Sequence, residues 1–469
     1  MVKSAPAVVV AAPASGSGKT TVATGLVGAM RAAGDRVAPF KVGPDYIDPG
    51  YHALAAGQAG RNLDTVLVGS DRIGPLFRHG SDGSDIAVVE GVMGLFDGKI
   101  DPGSAEPSAE GSTARIAAAL GAPVVLVIDA RGHSQSLAAV LQGFSTYDPS
   151  VRIGGVILNR VGSVRHEAVL RQACERVGLP VLGAVPRLAE LEVPSRHLGL
   201  VPAVEHGHAA LDAVAAMTEL ATAHLDLTAI RALARSSVVE SAWDPVAEVG
   251  PVPAGSRPVI ALAGGVAFTF GYAEHRELLE AAGADVVTFD PLADELPSGT
   301  AGLVLPGGFP EEHAVALSSN TALLQQVRKL AADGAPIHAE CAGLLYLIRS
   351  LDGHPMAGVI DVDARFGSRL TLGYREAVAV TDSVLFDAGA RVTGHEFHRT
   401  SVAVDTAYGY QPAWGWRAWA ARSWDTVATR EGFVGGSEGS SAGVHASYLH
   451  THPAGNPQAV RRFVEAARG

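Results

Sequence analysis

Cysteine and positive charge are both scarce in this 469-residue chain. Cys174 and Cys341 are its two cysteines, which excludes a disulfide framework and makes a reducing cytoplasm the expected location. The 36 Lys and Arg residues are outnumbered by 48 Asp and Glu residues, so the net charge is −12. Because nucleic acids and anionic membranes bind basic surfaces, this balance argues against either as a partner.

Long apolar runs are also missing. No segment approaches the ~20 consecutive apolar residues of a membrane-spanning helix. Hydrophobic residues nevertheless make up 47% of the chain and charged residues 18%, a composition typical of folded α/β domains. The length is sufficient for two such domains.

A glycine-rich loop, A-S-G-S-G-K-T-T (residues 14–21), follows a short β-branched strand and leads into a helical pattern. This layout predicts a P-loop, in which backbone N–H groups at Gly16 and Gly18 surround a phosphate. Lys19 would reach the terminal phosphates, and the Thr20 hydroxyl would take a position on Mg²⁺. Pro13 stands in place of the first consensus glycine, and this variant loop resembles those of dethiobiotin-synthetase-like and partition-ATPase-like proteins more than that of transport ATPases. The predicted nucleotide-binding residues of this loop are Gly16, Ser17, Gly18, Lys19, Thr20 and Thr21.

Short apolar segments alternate with helical patterns along the first half, which predicts a parallel sheet covered by helices on both faces. Ligands bind at the carboxyl ends of such strands, so the residues that follow the strands are the candidates for function. The predicted strands are Val8–Ala12, Val37–Val42, Ile86–Glu90, Val124–Asp129, Ile153–Leu158 and Val181–Val185.

Polar residues follow several of these strands. A carboxylate such as Glu90 at the end of an apolar strand is costly unless it is paired or binds a metal, so we predict Glu90, with Thr20 and Asp48, as Mg²⁺ ligands. Asn159 follows the fifth strand, where it is placed equally well for an adenine edge or for a structural turn. The candidates for substrate binding or phosphoryl transfer are Lys41, Asp45, Tyr46, Asp97, Arg196 and His197.

The periodic pattern is lost over residues 236–257, where Pro and Gly accumulate, and we predict a linker there between domains 1–235 and 258–469. A second α/β unit follows the linker. Its first predicted strands are Val259–Ala263, Asp285–Phe289 and Gly302–Leu305.

Cys341 stands where a predicted strand turns sharply into an apolar helix, which resembles a nucleophile elbow. A buried core cysteine is the alternative interpretation. His450 lies beyond the end of a later strand, where it would take the thiol proton. The His-x-His pair at 450 and 452 also suits zinc, but no Cys or Asp partner has a suitable spacing. The backbone N–H groups predicted to bind an oxyanion belong to Gly307, Gly308 and Ala342.

Seven motifs occur in order over nearly the whole chain: A-S-G-S-G-K-T-T, K-V-G-P-D-Y-I-D-P, V-E-G-V-M-G-L-F-D-G, P-S-R-H-L-G-L, L-P-G-G-F-P-E, A-E-C-A-G and S-Y-L-H-T-H. Together they resemble the cobyrinate or hydrogenobyrinate a,c-diamide synthases of cobalamin biosynthesis. The resemblance implies a dethiobiotin-synthetase-like ATPase domain and a flavodoxin-like class I glutamine amidotransferase domain. It also implies an ATP-, Mg²⁺- and glutamine-dependent amidation of the a and c acetates of a corrin, through acyl phosphates and ammonia that passes between the domains.

The same resemblance assigns Cys341 as the nucleophile and His450 as its base. Most class I amidotransferases have a Glu two residues after that His, but here the position holds His452, so we expect a Cys–His dyad. Arg61, Arg196 and His197 are expected to dock the carboxylates of the corrin, and a homodimer is the expected assembly.

Two alternative functions are compatible with parts of the sequence. A cobyric acid synthase has the same build and amidates four other carboxylates. A partition-type ATPase switch would explain the P-loop but would leave Cys341 and His450 without a role. Both a metal-free and a cobalt-containing corrin are compatible with the motifs.

Overall fold

The computed structural model describes residues 4–101, 103–187, 195–196, 199–200, 202–253, 255–402, 409–419, 426–435 and 443–469. The chain divides into two compact units, Met1–Trp243 and Asp244–Gly469. The division falls within the segment 236–257, in which a short helix, Pro245–Val249, is formed.

Parallel strands form the sheet of the first unit. They are β1 (Ala7–Ala11), β2 (Val37–Val42), β3 (Arg61–Leu63), β4 (Ile86–Glu90), β5 (Val124–Asp129), β6 (Ile153–Val161) and β7 (Val181–Pro186). Their order across the sheet is β3-β2-β4-β1-β5-β6-β7. Strands β1, β2 and β4 are buried along their whole length, as apolar strands covered on both faces must be. A separate antiparallel pair is formed by β8 (Ser195–Arg196) and β9 (Gly199–Leu200).

Helices surround this sheet. They are α1 (Lys19–Ala32), α2 (Asp48–Ala56), α3 (Thr65–Val68), α4 (Ile73–Gly80), α5 (Thr113–Leu120), α6 (Leu137–Tyr147), α7 (Val164–Arg176), α8 (Ala203–His206), α9 (His208–His224) and α10 (Leu227–Leu233), with a 3₁₀ turn at Ser70–Arg72. Two glycines let α9 approach α1 closely: a Cβ on Gly25 would lie 2.3 Å from the Met217 carbonyl oxygen, and one on Gly28 would lie 2.0 Å from the Thr218 hydroxyl. This packing holds the helix that begins at Lys19.

The second unit contains two sheets. Its strands are β10 (Val259–Ala263), β11 (Asp285–Phe289), β12 (Thr300–Leu305), β13 (Ile337–Glu340), β14 (Ile348–Leu351), β15 (His354–Pro355), β16 (Ile360–Ala379), β17 (Arg391–Val402), β18 (Tyr410–Gln411), β19 (Trp414–Trp419), β20 (Thr426–Glu431), β21 (Phe433–Gly435), β22 (Val444–Ser447) and β23 (His450–Thr451). The first sheet has the order β11-β10-β12-β13-β22-β21-β18, and the strands from β11 to β22 are parallel. The second is antiparallel through β16, β17 and β23, and β19 and β20 extend it.

The helices of the second unit flank the parallel sheet. They are α11 (Pro245–Val249), α12 (Ala273–Ala281), α13 (Ala314–Ser319), α14 (Thr321–Ala332), α15 (Ala342–Leu347) and α16 (Pro457–Ala466), with 3₁₀ turns at Pro310–His313 and Pro453–Gly455. The predicted fold class, two α/β units each built on a parallel sheet, is confirmed. Within the residues described above, no helix is both long and apolar enough to cross a membrane.

Candidate active sites

The glycine-rich loop joins β1 to α1 in the conformation that a phosphate cradle requires. Gly16 and Gly18 have φ angles of 79° and 93°, in the left-handed region that favours glycine. A Cβ on Gly18 would also lie 2.2 Å from Nδ2 of Asn159. The Asn159 amide donates a 2.9 Å hydrogen bond to the carbonyl oxygen of Ser17, so this side chain supports the loop from β6.

An arginine that the sequence analysis missed also holds the loop by a hydrogen bond. Arg160 donates hydrogen bonds to the carbonyl oxygen of Gly16 at 2.8 Å and to Asp129 at 2.6 Å. Arg131 donates to the same carboxylate at 2.7 Å. Burial opposes the charge of Asp129, but these donors outweigh it and lower its pKa to about 2. The two arginines thus hold an ionised carboxylate, through which Arg160 is fixed against the loop.

Lys19 begins α1, and Thr20 and Thr21 follow it in the first helical turn. The Lys19 ammonium donates hydrogen bonds to the carbonyl oxygens of Met93 at 2.6 Å and Ala14 at 3.3 Å. Burial, assisted by the nearby positive charge of Lys41, lowers the pKa of Lys19 to about 8. Lys19 is therefore a desolvated cation that two neutral carbonyl groups hold beside the loop, and a phosphate is a stronger partner for it.

A compact ionic cluster lies next to Lys19. The Thr20 hydroxyl donates to Glu90 at 2.6 Å and to Asp48 at 3.2 Å. The Lys41 ammonium contacts the same two carboxylates, at 2.9 Å from Glu90 and 2.6 Å from Asp48. His52, which the sequence analysis left without a role, lies 2.7 Å from the other oxygen of Glu90. The predicted convergence of Thr20, Asp48 and Glu90 is thus present in the structure.

The charges of this cluster depend on one another. Burial would raise the pKa of Glu90, but Lys41 and His52 overcome this effect and hold the pKa below its usual range. Burial likewise opposes the charge of Lys41, and Asp48 and Glu90 raise its pKa above the ordinary value. The hydroxyl of Thr20 and the two carboxylates form a set of hard oxygen ligands. In the described part of the chain, no group of three or more His, Cys, Asp or Glu side chains by itself forms a metal cage. Mg²⁺ usually takes one or two carboxylates and completes its shell with water and phosphate oxygens.

Three further predicted residues lie on the loops around this cluster. Asp45 accepts hydrogen bonds at 2.9 and 3.0 Å from the N–H groups of the N-cap and first residues of α2, and lies 3.9 Å from Lys41. Tyr46 is half-buried next to it. Asp97 accepts a 2.9 Å hydrogen bond from the N–H of Gly94. Both aspartates therefore organise the backbone of loops that follow strands β2 and β4.

Of the three basic residues expected to bind carboxylates, only one has its side chain among the described residues. Arg61 begins β3, and its side chain runs over Gly80, where a Cβ would lie 2.6 Å from the Arg61 Cδ atom. Arg196 is in strand β8, whose side chains lie outside the described residues. His197 lies outside them entirely.

In the second unit, Cys341 occupies a sharp turn between β13 and α15. Its φ of 51° is unusual for a residue other than glycine and is the strained geometry of a nucleophile elbow. The backbone N–H of Cys341 donates to the carbonyl oxygen of Ser447 at 2.7 Å. The N–H groups of Gly308 and Ala342 are directed at its sulfur. Two of the three residues predicted to bind an oxyanion therefore have donors at the Cys341 sulfur.

The thiol and the imidazole are both neutral at rest. Burial, together with the negative charge of Glu311, raises the pKa of the Cys341 thiol above its ordinary value. Burial lowers the pKa of His450 to about 4 although Glu340 opposes the shift. The uncharged imidazole can therefore accept a proton at neutral pH, which is the state that a general base must have.

Gly307, the third predicted oxyanion residue, makes room for the imidazole. A Cβ at this position would lie 2.3 Å from Cε1 of His450 and 3.0 Å from Cβ of Phe270. The Gly307 carbonyl oxygen accepts a 3.0 Å hydrogen bond from the N–H of Phe270, which fixes this backbone. His450 is completely buried, and in a closely packed interior a Cβ at Gly307 would displace its ring.

This close packing leads to a first prediction. If His450 is the base predicted from the sequence, we expect Gly307→Ala to lower glutamine hydrolysis by about 10²-fold or more, because displacing a base by about 1 Å has effects of this size. Amidation driven by added ammonia should stay within about twofold of wild type. Gly271→Ala is the matched control, since a Cβ there meets no atom within 4 Å. Wild-type glutamine hydrolysis by a folded Gly307→Ala enzyme would contradict the placement of His450.

A carboxylate that the sequence analysis did not single out stands directly before the nucleophile. Glu340 accepts hydrogen bonds from the backbone N–H of Thr451 at 3.1 Å and from its hydroxyl at 3.0 Å. Its other oxygen lies 3.8 Å from Nδ1 of His450. His338 lies 3.3 Å from the first oxygen. The A-E-C-A-G motif contained this signal, since a carboxylate at the end of a buried strand needs such partners.

His452 stands where most class I amidotransferases have glutamate, and its ring is held by contacts with neighbouring residues. Its Nδ1 accepts a hydrogen bond from the N–H of Ala454 at 3.2 Å. Its ring lies against that of Tyr272, with 4.0 Å between the ring centres. Among the described residues, neither His450 nor His452 belongs to a group of metal-binding side chains.

Both halves of the chain match known protein families. Residues 8–201 match the CobQ/CobB/MinD/ParA nucleotide binding domain, and residues 260–458 match the CobB/CobQ-like glutamine amidotransferase domain. A hydrogenobyrinate a,c-diamide synthase of Mycobacterium tuberculosis (strain ATCC 25618 / H37Rv) is 61% identical over 98% of this chain and 98% of its own length. The enzyme of the same name from Streptomyces coelicolor is 56% identical over 99% and 98% of the two chains. A cobyrinate a,c-diamide synthase of Gloeobacter violaceus is 41% identical over 98% and 96%.

Proposed function

The chain belongs to the family of hydrogenobyrinate and cobyrinate a,c-diamide synthases, and from this membership we propose the chemistry of its two sites. It is a carbon–nitrogen ligase with glutamine as the nitrogen donor, built from a nucleotide-binding and an amidotransferase domain. We propose that it converts the a and c acetates of hydrogenobyrinic acid into amides, through acyl phosphates formed with ATP. The elbow of Cys341, with two N–H groups directed at its sulfur, is the observation that carries the proposal.

Activation of the carboxylate is the task of the first unit. A carboxylate does not react usefully with ammonia at neutral pH, so its oxygen must first become a good leaving group. Lys19 would neutralise the terminal phosphates of ATP, and Thr20, Asp48 and Glu90 would hold Mg²⁺, which would supply positive charge to the phosphoryl group during its transfer. Lys41 contacts both carboxylates, and we propose that it stays bound to them beside the site of phosphoryl transfer.

The remaining predicted residues are proposed to complete this site. Thr21 and Asn159 belong to the nucleotide side, and Asp45, Tyr46 and Asp97 to the side of the carboxylate. Arg61, Arg196 and His197 are proposed to bind the other carboxylates of the corrin, because a chain with a net charge of −12 needs local cations for a polyanionic substrate.

Release of ammonia is the task of the second unit. As the Cys341 sulfur attacks the amide carbon of glutamine, His450 takes the thiol proton and then gives it to the leaving nitrogen, so that a thioester and ammonia are formed. The N–H groups of Gly308 and Ala342 stabilise the negative charge on the carbonyl oxygen. Water then hydrolyses the thioester to glutamate, with His450 again as the base.

The names of the relatives favour the metal-free corrin as substrate. The relatives that are 61%, 56% and 50% identical to this chain are named hydrogenobyrinate a,c-diamide synthases. Two relatives that are 41% and 38% identical are named for cobyrinate. Another relative named for hydrogenobyrinate is 43% identical, so the degree of identity to this chain does not fully separate the relatives with the two names.

An amidation assay tests the proposed function. The protein is incubated with ATP, Mg²⁺ and glutamine and with hydrogenobyrinic or cobyrinic acid, and mass spectrometry counts the exchanges of hydroxyl for amino groups. We expect two exchanges, with a higher kcat/KM for the metal-free acid. If the substrate carboxylates carry ¹⁸O, one label per amide should appear in inorganic phosphate, and its absence would contradict an acyl phosphate. Four amidations of other carboxylates would instead indicate a cobyric acid synthase, and ATP hydrolysis without amidation a partition-type switch.

Assembly and domain limits are part of the proposal. We propose an ATP- and corrin-binding domain over residues 1–235, a linker over 236–257 and an amidotransferase domain over 258–469, which the two family matches at 8–201 and 260–458 support. A homodimer in a reducing cytoplasm also remains a prediction, and analytical ultracentrifugation tests its stoichiometry.

A further inference from the structure

We propose that Glu340 is the positioning carboxylate of His450, so that the glutaminase site is a Cys–His–Glu triad whose glutamate directly precedes the nucleophile. The inference rests on the proposed function of Cys341 and His450 and deepens it. It replaces the expected dyad, because the third member stands one residue before the cysteine and not two residues after the histidine.

The two oxygens of Glu340 have separate surroundings. Oε1 accepts both hydrogen bonds from Thr451, the residue that follows the base, and His338 lies on the same side. Oε2 faces Nδ1 of His450 at 3.8 Å. This distance exceeds a hydrogen bond, but catalytic hydrogen bonds often tighten when substrate binds. Since Oε1 is fixed by three donors or potential donors, Oε2 is held at the imidazole.

Other carboxylates near the site already have different partners. Glu396 forms an ion pair with Arg375 at 2.5 Å. Glu431 accepts hydrogen bonds from the hydroxyl of Ser447 at 2.6 Å and from the N–H of Tyr448 at 2.7 Å. Glu340 forms an ion-pair contact with His450.

A carboxylate at Nδ1 has two chemical consequences. It favours the tautomer with a proton on Nδ1, so that Nε2 is the unprotonated nitrogen that would accept the thiol proton. It also stabilises the imidazolium that forms when Cys341 becomes a thiolate. Other titratable groups interact with Glu340 or His450: His338 on β13, His395, Glu396 and His398 on β17, His275 on α12, and His445 on β22. Glu311 acts on the thiol of Cys341.

The variant Glu340→Gln tests this inference. Glutamine retains the shape and can still accept from Thr451 through its oxygen, but its NH₂ would donate to Nδ1 and favour the wrong tautomer. We expect kcat for glutamine hydrolysis to fall by about 10²- to 10⁴-fold with KM changed by less than about threefold. Glu340→Asp should restore part of the activity, and ammonia-driven amidation should be unchanged.

Alkylation of Cys341 adds a readout that a structural role would not move. The rate of reaction with iodoacetamide is measured against pH in a Cys174→Ser background, so that one thiol is present. Glu340→Gln removes the negative charge of the carboxylate beside His450 and so disfavours the thiolate–imidazolium pair. The reactive thiolate should therefore appear at a pH higher by about one unit or more. The rate at neutral pH should fall accordingly.

Glu431→Gln is the matched control. It makes the same substitution at another buried glutamate, whose pKa burial and the charge of Glu396 raise to about 8, so its neutral form is already favoured at pH 7. We expect this variant to stay within about threefold of wild type. If a folded Glu340→Gln enzyme had the kcat and the alkylation profile of the wild type, the triad would be overturned. The proposed function would still be supported in that case, provided that the wild-type protein hydrolyses glutamine. Absence of hydrolysis by the wild type would overturn the proposed function itself.

Discussion

Replacing Cys341 with serine should lower glutamine-driven amidation by at least about 10³-fold and leave ammonia-driven amidation within about twofold of wild type. A serine hydroxyl is a much weaker nucleophile than a thiol in a site whose base, His450, has its pKa lowered to about 4 by burial. The two buried N–H groups at the elbow remain in place, so the loss reports the nucleophile itself. Amide formation at the acyl phosphate needs only a supply of ammonia, which ammonium chloride at alkaline pH provides.

The chain supplies a matched control for this substitution. Cys174 is the other cysteine, buried in α7, and burial raises the pKa of its thiol to about 11. Cys174→Ser makes the same change of sulfur to oxygen, and we expect both nitrogen sources to be used at wild-type rates. Glutamate release and amide formation are measured in parallel. If Cys341→Ser lost both routes in a folded enzyme, the division of labour between the two sites would be wrong.

Most strands of both parallel sheets could be predicted because apolar residues predominate in them. Strands Val37–Val42, Ile86–Glu90 and Asp285–Phe289 begin and end where the sequence pattern placed them. Because these strands are parallel, their carboxyl ends share one edge, and this rule was enough to bring Glu90 and Asp48 together with Thr20.

The partners of these residues could not be predicted in the same way. His52 and Arg160 act through contacts between distant elements, and no local pattern distinguishes an arginine that holds the loop at Gly16 from one in water. The antiparallel sheet through β16 and β17 could not be predicted either, because its long strands mix buried and exposed residues without a strict alternation. Glu340 was visible in a motif, but its role depends on strand β23, which is only two residues long and was not predicted.

Replacing Lys19 with alanine should abolish amidation with both nitrogen sources, with a loss of at least about 10³-fold. Lys19 is the first residue of α1, and its ammonium is held by the carbonyl oxygens of Met93 and Ala14 beside the phosphate loop. In a buried site, a positive charge next to the terminal phosphates stabilises them far more than it would in water, because little solvent is present to screen the interaction. Lys41 cannot replace it, because Asp48 and Glu90 bind that ammonium at 2.6 and 2.9 Å.

The pattern across nitrogen sources distinguishes this loss from that of the thiol variant. Lys19→Ala should fail equally with glutamine and with ammonia, because no acyl phosphate is formed for either to attack. Lys329→Ala is the control for removal of a lysine, since this side chain is 75% exposed and pairs only with Asp333 among the ion pairs of the described residues. The ¹⁸O transfer from carboxylate to phosphate should vanish in Lys19→Ala and persist in Lys329→Ala. Ammonia-driven synthesis at the wild-type rate by Lys19→Ala would refute activation of the carboxylate at this loop.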